Sequence, residues 1–189
     1  MQQSLHPMFP RPISPSLTLR QMRTTDLGRV CEIQHQCYSS DFHEPEAAFA
    51  SKLRQSPSSC WVACDAGDLP MAYLVSLPVS PGHYPALHAD DWMPPARPTT
   101  LYMHDMAVMP ALKGQGVAVQ LFTAAHQYTI RSGLSDITLI AVQGSVPYWQ
   151  RHGFAVVPPE EMDEAMRKKL ASFGPDARFM RQVISLSYP

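Results

Sequence analysis

The sequence predicts an α/β (α+β) fold: a central sheet of about seven strands with helices on both faces. Three observations carry this. Strand-like and amphipathic segments follow one another in the order β-α-α-β-β-β-α-β-α-β-β. At 189 residues with 45% apolar side chains, the chain can build one domain with its own core. Nothing in this order is a repeat array.

Each element has a local reason. Pro7, Pro10, Pro12 and Pro15 make residues 1–16 a proline-rich extension without regular structure, leaving 17–189 as the domain. Leu17 to Gln21 suits a first strand. Thr25 or Asp26 caps a helix reaching about Tyr38, with Leu27, Val30, Ile33 and Cys37 as its apolar stripe. Pro45 opens a second helix that turns Phe49 and Leu53 inward. Cys60 to Ala66 and Met71 to Leu77 read as strands joined around Gly67-Asp68. Pro78 to Pro98 is a long proline-rich connection, and Leu101 to Val108 is the next strand. Gln115 to Arg131 is the best helix, with Val117, Leu121, Ala124 and Tyr128 on one face and Gly133 past its end. Ile137 to Val142 is a buried-type strand, Val146 to His152 a short helix, and Phe154 to Val157 a strand. Glu160 to Ser172 suits a helix or a loop, and Arg178 to Leu186 closes the sheet.

Composition narrows the function. A formal net charge of -1 argues against an electrostatic nucleic-acid binder. No apolar run approaches the ~20 residues of a membrane span. The first residues carry no basic-then-apolar signal pattern, so the expected location is the cytoplasm. Cys31, Cys37, Cys60 and Cys64 form no C-x-x-C pair. They read as small buried hydrophobes in a reduced compartment, and no metal site is expected.

The stretch from Val108 to Ala118 carries the chemistry. A strand runs into a loop with Gly114 and Gly116, and a helix follows at once. Glycines let backbone N–H groups approach an anion without a Cβ in the way. The helix start adds unpaired N–H groups and the positive end of its dipole. The loop has no Gly-Lys-Ser/Thr ending, so it is not a nucleoside-triphosphate P-loop. It also lacks the third glycine of the dinucleotide fingerprint.

It resembles the Q/R-x-x-G-x-G/A signature of the GNAT N-acetyltransferase superfamily, with Lys113, Gly116 and Ala118 at the signature positions. Lysine in place of arginine or glutamine is a departure. Two further stretches resemble the arylalkylamine N-acetyltransferase branch: His104-x-Met106-Ala107-Val108, and Val146-Pro147-Tyr148-Trp149-x-Arg151-x-Gly153-Phe154. The resemblance implies one GNAT-type domain with a mixed central sheet, acetyl-CoA as co-substrate, and direct attack by an amine in a ternary complex. It places the pyrophosphate on Lys113, Gly114, Gln115, Gly116, Val117 and Ala118. The pantetheine arm falls on the backbone of Met106, Ala107 and Val108. Gln143 and Ser145 either hydrogen-bond the coenzyme or simply form the turn at Gly144.

Acetyl transfer to an amine needs a proton acceptor, a donor for the oxyanion, and a way to stabilise the leaving thiolate. His104 is the candidate base; the alternative is a strand histidine bonded to a neighbour. By strand parity it shares a face with Tyr102, Met106 and Val108, and Asp105 points the other way. Most family members carry a tyrosine four residues before the glycine of Gly-Phe, where this chain has Trp149. Trp149 then packs on the sulfur end of the coenzyme. Adjacent Tyr148 serves as the acid only if the helix is rotated; otherwise the thiolate leaves without a dedicated acid, or catalysis is impaired. The acceptor pocket is expected from Tyr38 to Glu44 and from Pro78 to Thr100. Tyr38, Phe42, Tyr102 and Trp92 offer aromatic walls, and Asp41, Glu44, Asp90 and Asp91 offer negative charge. The expected partner is a small primary amine. Protein or peptide acetylation, a longer acyl group and a non-catalytic coenzyme-binding module stay open, as does a homodimer.

Overall fold

Seven strands form one mixed sheet in the order β1-β2-β3-β4-β5-β7-β6. They are β1 (Thr18–Gln21), β2 (Cys60–Cys64), β3 (Pro70–Val79), β4 (Thr100–Val108), β5 (Asp136–Ala141), β6 (Ala155–Val156) and β7 (Arg178–Val183). The computed structural model describes residues 17–184. The proline-rich 1–16 and the expected end of the closing strand at Leu186 lie outside them. Only β4 and β5 pair in parallel. A parallel pair needs a crossover, and α3 (Val117–Arg131) supplies it.

The helices divide between two faces. α1 (Leu27–Cys37) and α2 (Glu46–Gln55) cover one. There Val30, Ile33, Phe49 and Leu53 pack on Val62, Tyr73, Val75 and Tyr102. α3 covers the other with Val117, Leu121, Phe122 and Ala125, packed on Trp61, Leu74, Leu101 and Leu139. The short α4 (Val146–Arg151) adds Trp149 to that second core. Between β6 and β7 the expected helix or loop resolves into α5 (Glu164–Ala171). Asp163 caps it, its Oδ1 accepting the Met166 N–H at 2.7 Å.

The parity expected along β4 fails, for a specific reason. Val75 pairs with Asp105, yet the next residue, Ser76, pairs with Met103. His104 is the extra residue of a β-bulge, and a bulge reverses the alternation beyond it. Leu101 and Met103 face α3, and so do Met106 and Val108. Tyr102 and Ala107 face α1 and α2. His104 and Asp105, consecutive in sequence, both project to the α1/α2 side, where their hydrogen-bond partners lie.

α3 ends where Gly133 was expected to end it. Gly133 has φ +66. Its N–H reaches the Ile130 carbonyl at 3.1 Å, and the Leu134 N–H reaches Thr129 at 3.1 Å. This is the paired closure of a Schellman cap. Gly133→Ala is expected to lower the unfolding free energy by about 1 kcal/mol, because a left-handed residue then carries a Cβ. Urea denaturation checks it, with an unchanged m-value.

Candidate active site

β4 and β5 pair at only four positions, from Thr100↔Asp136 to Met103↔Leu139. Beyond them both strands continue, β4 to Val108 and β5 to Ala141, without pairing. The bulge at His104 sits where they part. A cavity of about 300 Å³ fills the wedge, bounded by His104 to Val108 on one bank and Leu139, Ile140 and Val142 on the other. β4 thus turns a free backbone edge to the wedge, although the Met106 carbonyl there already accepts from Tyr38 Oη at 2.6 Å and the Val108 carbonyl from Cys37 Sγ at 3.3 Å.

At one end of the wedge lies the glycine loop. Gly114 and Gly116 have φ of +80 and +81, a left-handed conformation that L side chains rarely adopt. α3 starts at once, with Gly116 as its N-cap. Its first N–H groups have no intrahelical partner. Lys113 lines the cavity; Gly114, Gln115, Gly116, Val117 and Ala118 lie beyond its wall, continuing from it. Gln143, at φ +51, and Gly144, at φ +72, form the turn after β5. Gln143 and Ser145 line the cavity, so the turn reading and the ligand reading fall on the same residues.

At the other end is a buried charge cluster that the sequence reading did not assemble. Glu44 and Lys52 are buried, their side chains 1% and 0% exposed. Lys52 Nζ donates to Glu44 Oε2 at 2.6 Å. His104 Nε2 bonds the other carboxylate oxygen. Burial alone would raise the Glu44 pKa; His104 and Lys52 outweigh it and bring it to about 2. Burial pushes His104 below its ordinary value, against the pull of Glu44. A neutral imidazole beside a carboxylate must carry its proton on Nε2, which leaves Nδ1 as the acceptor. Asp105 is held separately. Tyr73 Oη donates to its Oδ2 at 2.6 Å and Gln34 Nε2 at 3.2 Å. Burial still brings its carboxyl up to about 6.

Of the expected substrate-contacting aromatics, Tyr38 and Phe42 line the cavity. The Tyr38 hydroxyl is committed to the Met106 carbonyl at 2.6 Å, so the cavity meets its ring. Tyr102 is fully buried behind His104, at 5.7 Å between ring centroids, and does not line the cavity. Trp92 is also a core residue; its Nε1–H donates to the His83 carbonyl. Asp41, Asp90 and Asp91 are exposed and outside the cavity. Leu87 and Phe173 are lining residues that the sequence reading did not name.

Tyr148 and Trp149 both reach the cavity. Trp149 does so from the core, 5.3 Å from Phe154 and 6.2 Å from Phe122. Tyr148 is half-buried, and its hydroxyl has no partner. The same is true of His104 Nδ1. Buried polar atoms are normally paired. Here two orphans, one acceptor and one hydroxyl, belong to residues of the same cavity. Among the described residues no cluster of His, Cys, Asp and Glu is arranged to hold a metal, and no helix is long and apolar enough to cross a membrane.

The splayed β4–β5 pair and the glycine loop at the start of the crossover helix thus lie side by side along one cavity. Residues 27–154 match the acetyltransferase (GNAT) family, and the chain belongs to it. The fold is shared with Ard1 from Thermoplasma volcanium, at 16% identity and TM-score 0.66 over 89% of this chain and 98% of that one. GphF, a GNAT-like decarboxylase in complex with isobutyryl-CoA, has 13% identity and TM-score 0.68 over 88% and 98%. Arabidopsis thaliana Naa50, in complex with the bisubstrate analogue CoA-Ac-MVNAL, has 11% identity and TM-score 0.62 over 89% and 99%. At these identities the likeness is one of fold. Curated protein sequences give no match.

Two stability outcomes follow from the buried charges. Glu44→Ala leaves Lys52 buried and unpaired, with an expected loss of about 3–5 kcal/mol in urea denaturation. Asp105 acts through pH. Its folded-state pKa of about 6 lies above the reference 3.8, so its contribution is present below pH 3.8 and lost as pH rises through 6. Asp105→Asn is expected to remove that decline from stability curves measured between pH 4 and 6.

Proposed function

We propose that this protein is an acetyl-CoA-dependent N-acetyltransferase acting on a primary amine of a small molecule, by direct attack in a ternary complex. The observation that carries it is a pair of unpartnered buried atoms, His104 Nδ1 and Tyr148 Oη, in two residues that line one wedge-shaped cavity. The arylalkylamine likeness itself rests on the two short sequence stretches that contain these residues.

The glycine loop and the start of α3 hold the pyrophosphate, with Lys113 adding charge. The freed edge of β4, at Met106, Ala107 and Val108, holds the pantetheine arm. Trp149 packs near its sulfur end. A backbone N–H of this edge, that of Met106, polarises the acetyl carbonyl. The amine nitrogen bonds the carbonyl carbon and gives its proton to His104 Nδ1. As the C–S bond breaks, Tyr148 gives its hydroxyl proton to the departing thiolate. Glu44 fixes the imidazole tautomer and steadies the imidazolium that forms. Burial raises the Tyr148 pKa, which keeps the hydroxyl protonated until the thiolate develops beside it.

Thiol release from acetyl-CoA tests this. His104→Ala is expected to lower kcat by about 10²–10⁴. Tyr148→Phe is expected to lower kcat about 10-fold, with little change in the KM for acetyl-CoA. The His104 pKa lies below 6.5, so wild-type kcat falls only as pH drops below that value, and His104→Ala abolishes this limb. Saturable acetyl-CoA binding with no turnover on any amine would favour the non-catalytic module.

A further inference from the structure

A second cavity lies beside α5. It holds about 270 Å³ between the turn at Pro159–Glu161, α5 and the segment that leads into β7. It shares no lining residue with the β4–β5 cavity. Pro159, Met162, Leu170 and Ala177 give it an apolar wall. Met162 belongs to a small core cluster with Val157, Met166 and Phe179, and Leu170 packs against that cluster. The cavity is therefore an unfilled margin of an apolar core.

Its charges are all of one sign. Arg167, from α5, and Arg178, which opens β7, complete the lining and are exposed at its rim. No acidic side chain lines it. Each guanidinium is held through a single nitrogen. Arg167 Nη1 donates to the carbonyls of Pro159 and Met162. Arg178 Nη1 donates to the carbonyls of Pro175, at 2.7 Å, and Ala177, at 2.8 Å. Nη1 carries two N–H groups, so both are spent in each residue. The edge formed by Nε and Nη2 bonds nothing among the described residues. That edge can grip a carboxylate through two parallel hydrogen bonds. Carbonyl partners orient the two cations without neutralising them.

The cavity thus asks two things of an occupant. An inorganic anion would answer the arginines and leave the apolar wall wet. A neutral apolar molecule would fill the space and leave two cations uncompensated, and an amine would be repelled. An anionic head on an aliphatic tail satisfies both demands. The volume lies just under the range for drug-sized ligands, so the molecule is small. We infer that this cavity is a second binding site, for a short- to medium-chain aliphatic carboxylate, with Arg167 and Arg178 as its anion-recognising residues. The inference does not depend on the transferase reading given above.

Sodium octanoate is the probe, titrated calorimetrically into the full chain saturated with coenzyme A, with ¹⁵N amide shifts to locate it. One saturable site is expected, with shifts at Arg167, Leu170, Gly174 and Ala177. Octan-1-ol and octylamine are expected to bind at least about 10-fold more weakly, and Arg167→Gln and Arg178→Gln each to weaken octanoate about 10-fold. Butanoate, four methylenes shorter, is expected to bind at least about 10-fold more weakly than octanoate. Ala171→Phe fills the cavity without touching either arginine, and serves if the glutamine variants disturb the carbonyls that the arginines hold. It is expected to abolish octanoate binding and leave coenzyme A binding unchanged. Absence of saturable octanoate binding overturns the inference. So do shifts confined to the β4–β5 cavity, equal binding of octan-1-ol or octylamine, or unchanged octanoate affinity in Ala171→Phe.

Discussion

The β-bulge at His104 is the constraint on which the site depends. One extra residue in β4 stops the parallel ladder with β5 after four pairs and opens the wedge. It also turns His104 and Asp105 toward α1 and α2 while Met106 and Val108 swing toward α3. Without that reversal, the free backbone edge of β4 and the His104 side chain would not meet in one cavity.

A bulge costs ladder hydrogen bonds, so something must hold it. The pairing of His104 with Glu44, itself fixed by Lys52 from α2, supplies an anchor from outside the sheet. Burying a lysine and a glutamate together gives little net stability. Its return is positional. Glu44 takes hydrogen bonds from α2, from β4 and from the proline-rich connection through His88. One carboxylate therefore sets the imidazole tautomer and also holds the segment that brings Leu87 to the cavity wall.

Much of this was legible in the sequence, and the failures share a cause. Gly114 and Gly116 marked a loop whose backbone can approach a ligand, and Gly133 the end of α3; all three are left-handed in the fold. Apolar periodicity and turn residues located the seven strands and the first four α-helices to within a few residues, and left α5 open between helix and loop. Parity along β4 failed because a bulge leaves no mark in residue type. Glu44 was read as one of four loop carboxylates, since nothing local separates it from Asp41. Its partner Lys52 is a lysine in a helix otherwise read by Phe49 and Leu53, and lysines are rarely buried without a partner distant in sequence. The places of Phe173 and Leu87 on the cavity wall arise from connections that meet only in the folded chain. Tyr148 was resolvable only by the rotation of α4, which its core contacts through Trp149 decide.

The central claim is that the edge of β4 beyond the bulge, together with the glycine loop, holds the coenzyme. The most direct measurement is a titration of ¹⁵N-labelled protein with coenzyme A, followed by amide chemical shifts. The account predicts that Met106 and Val108 shift together with Gly114 to Ala118 along one saturation curve, while the β1–β2 amides stay still. Saturable binding that moves the loop but leaves Met106 and Val108 unchanged would contradict it.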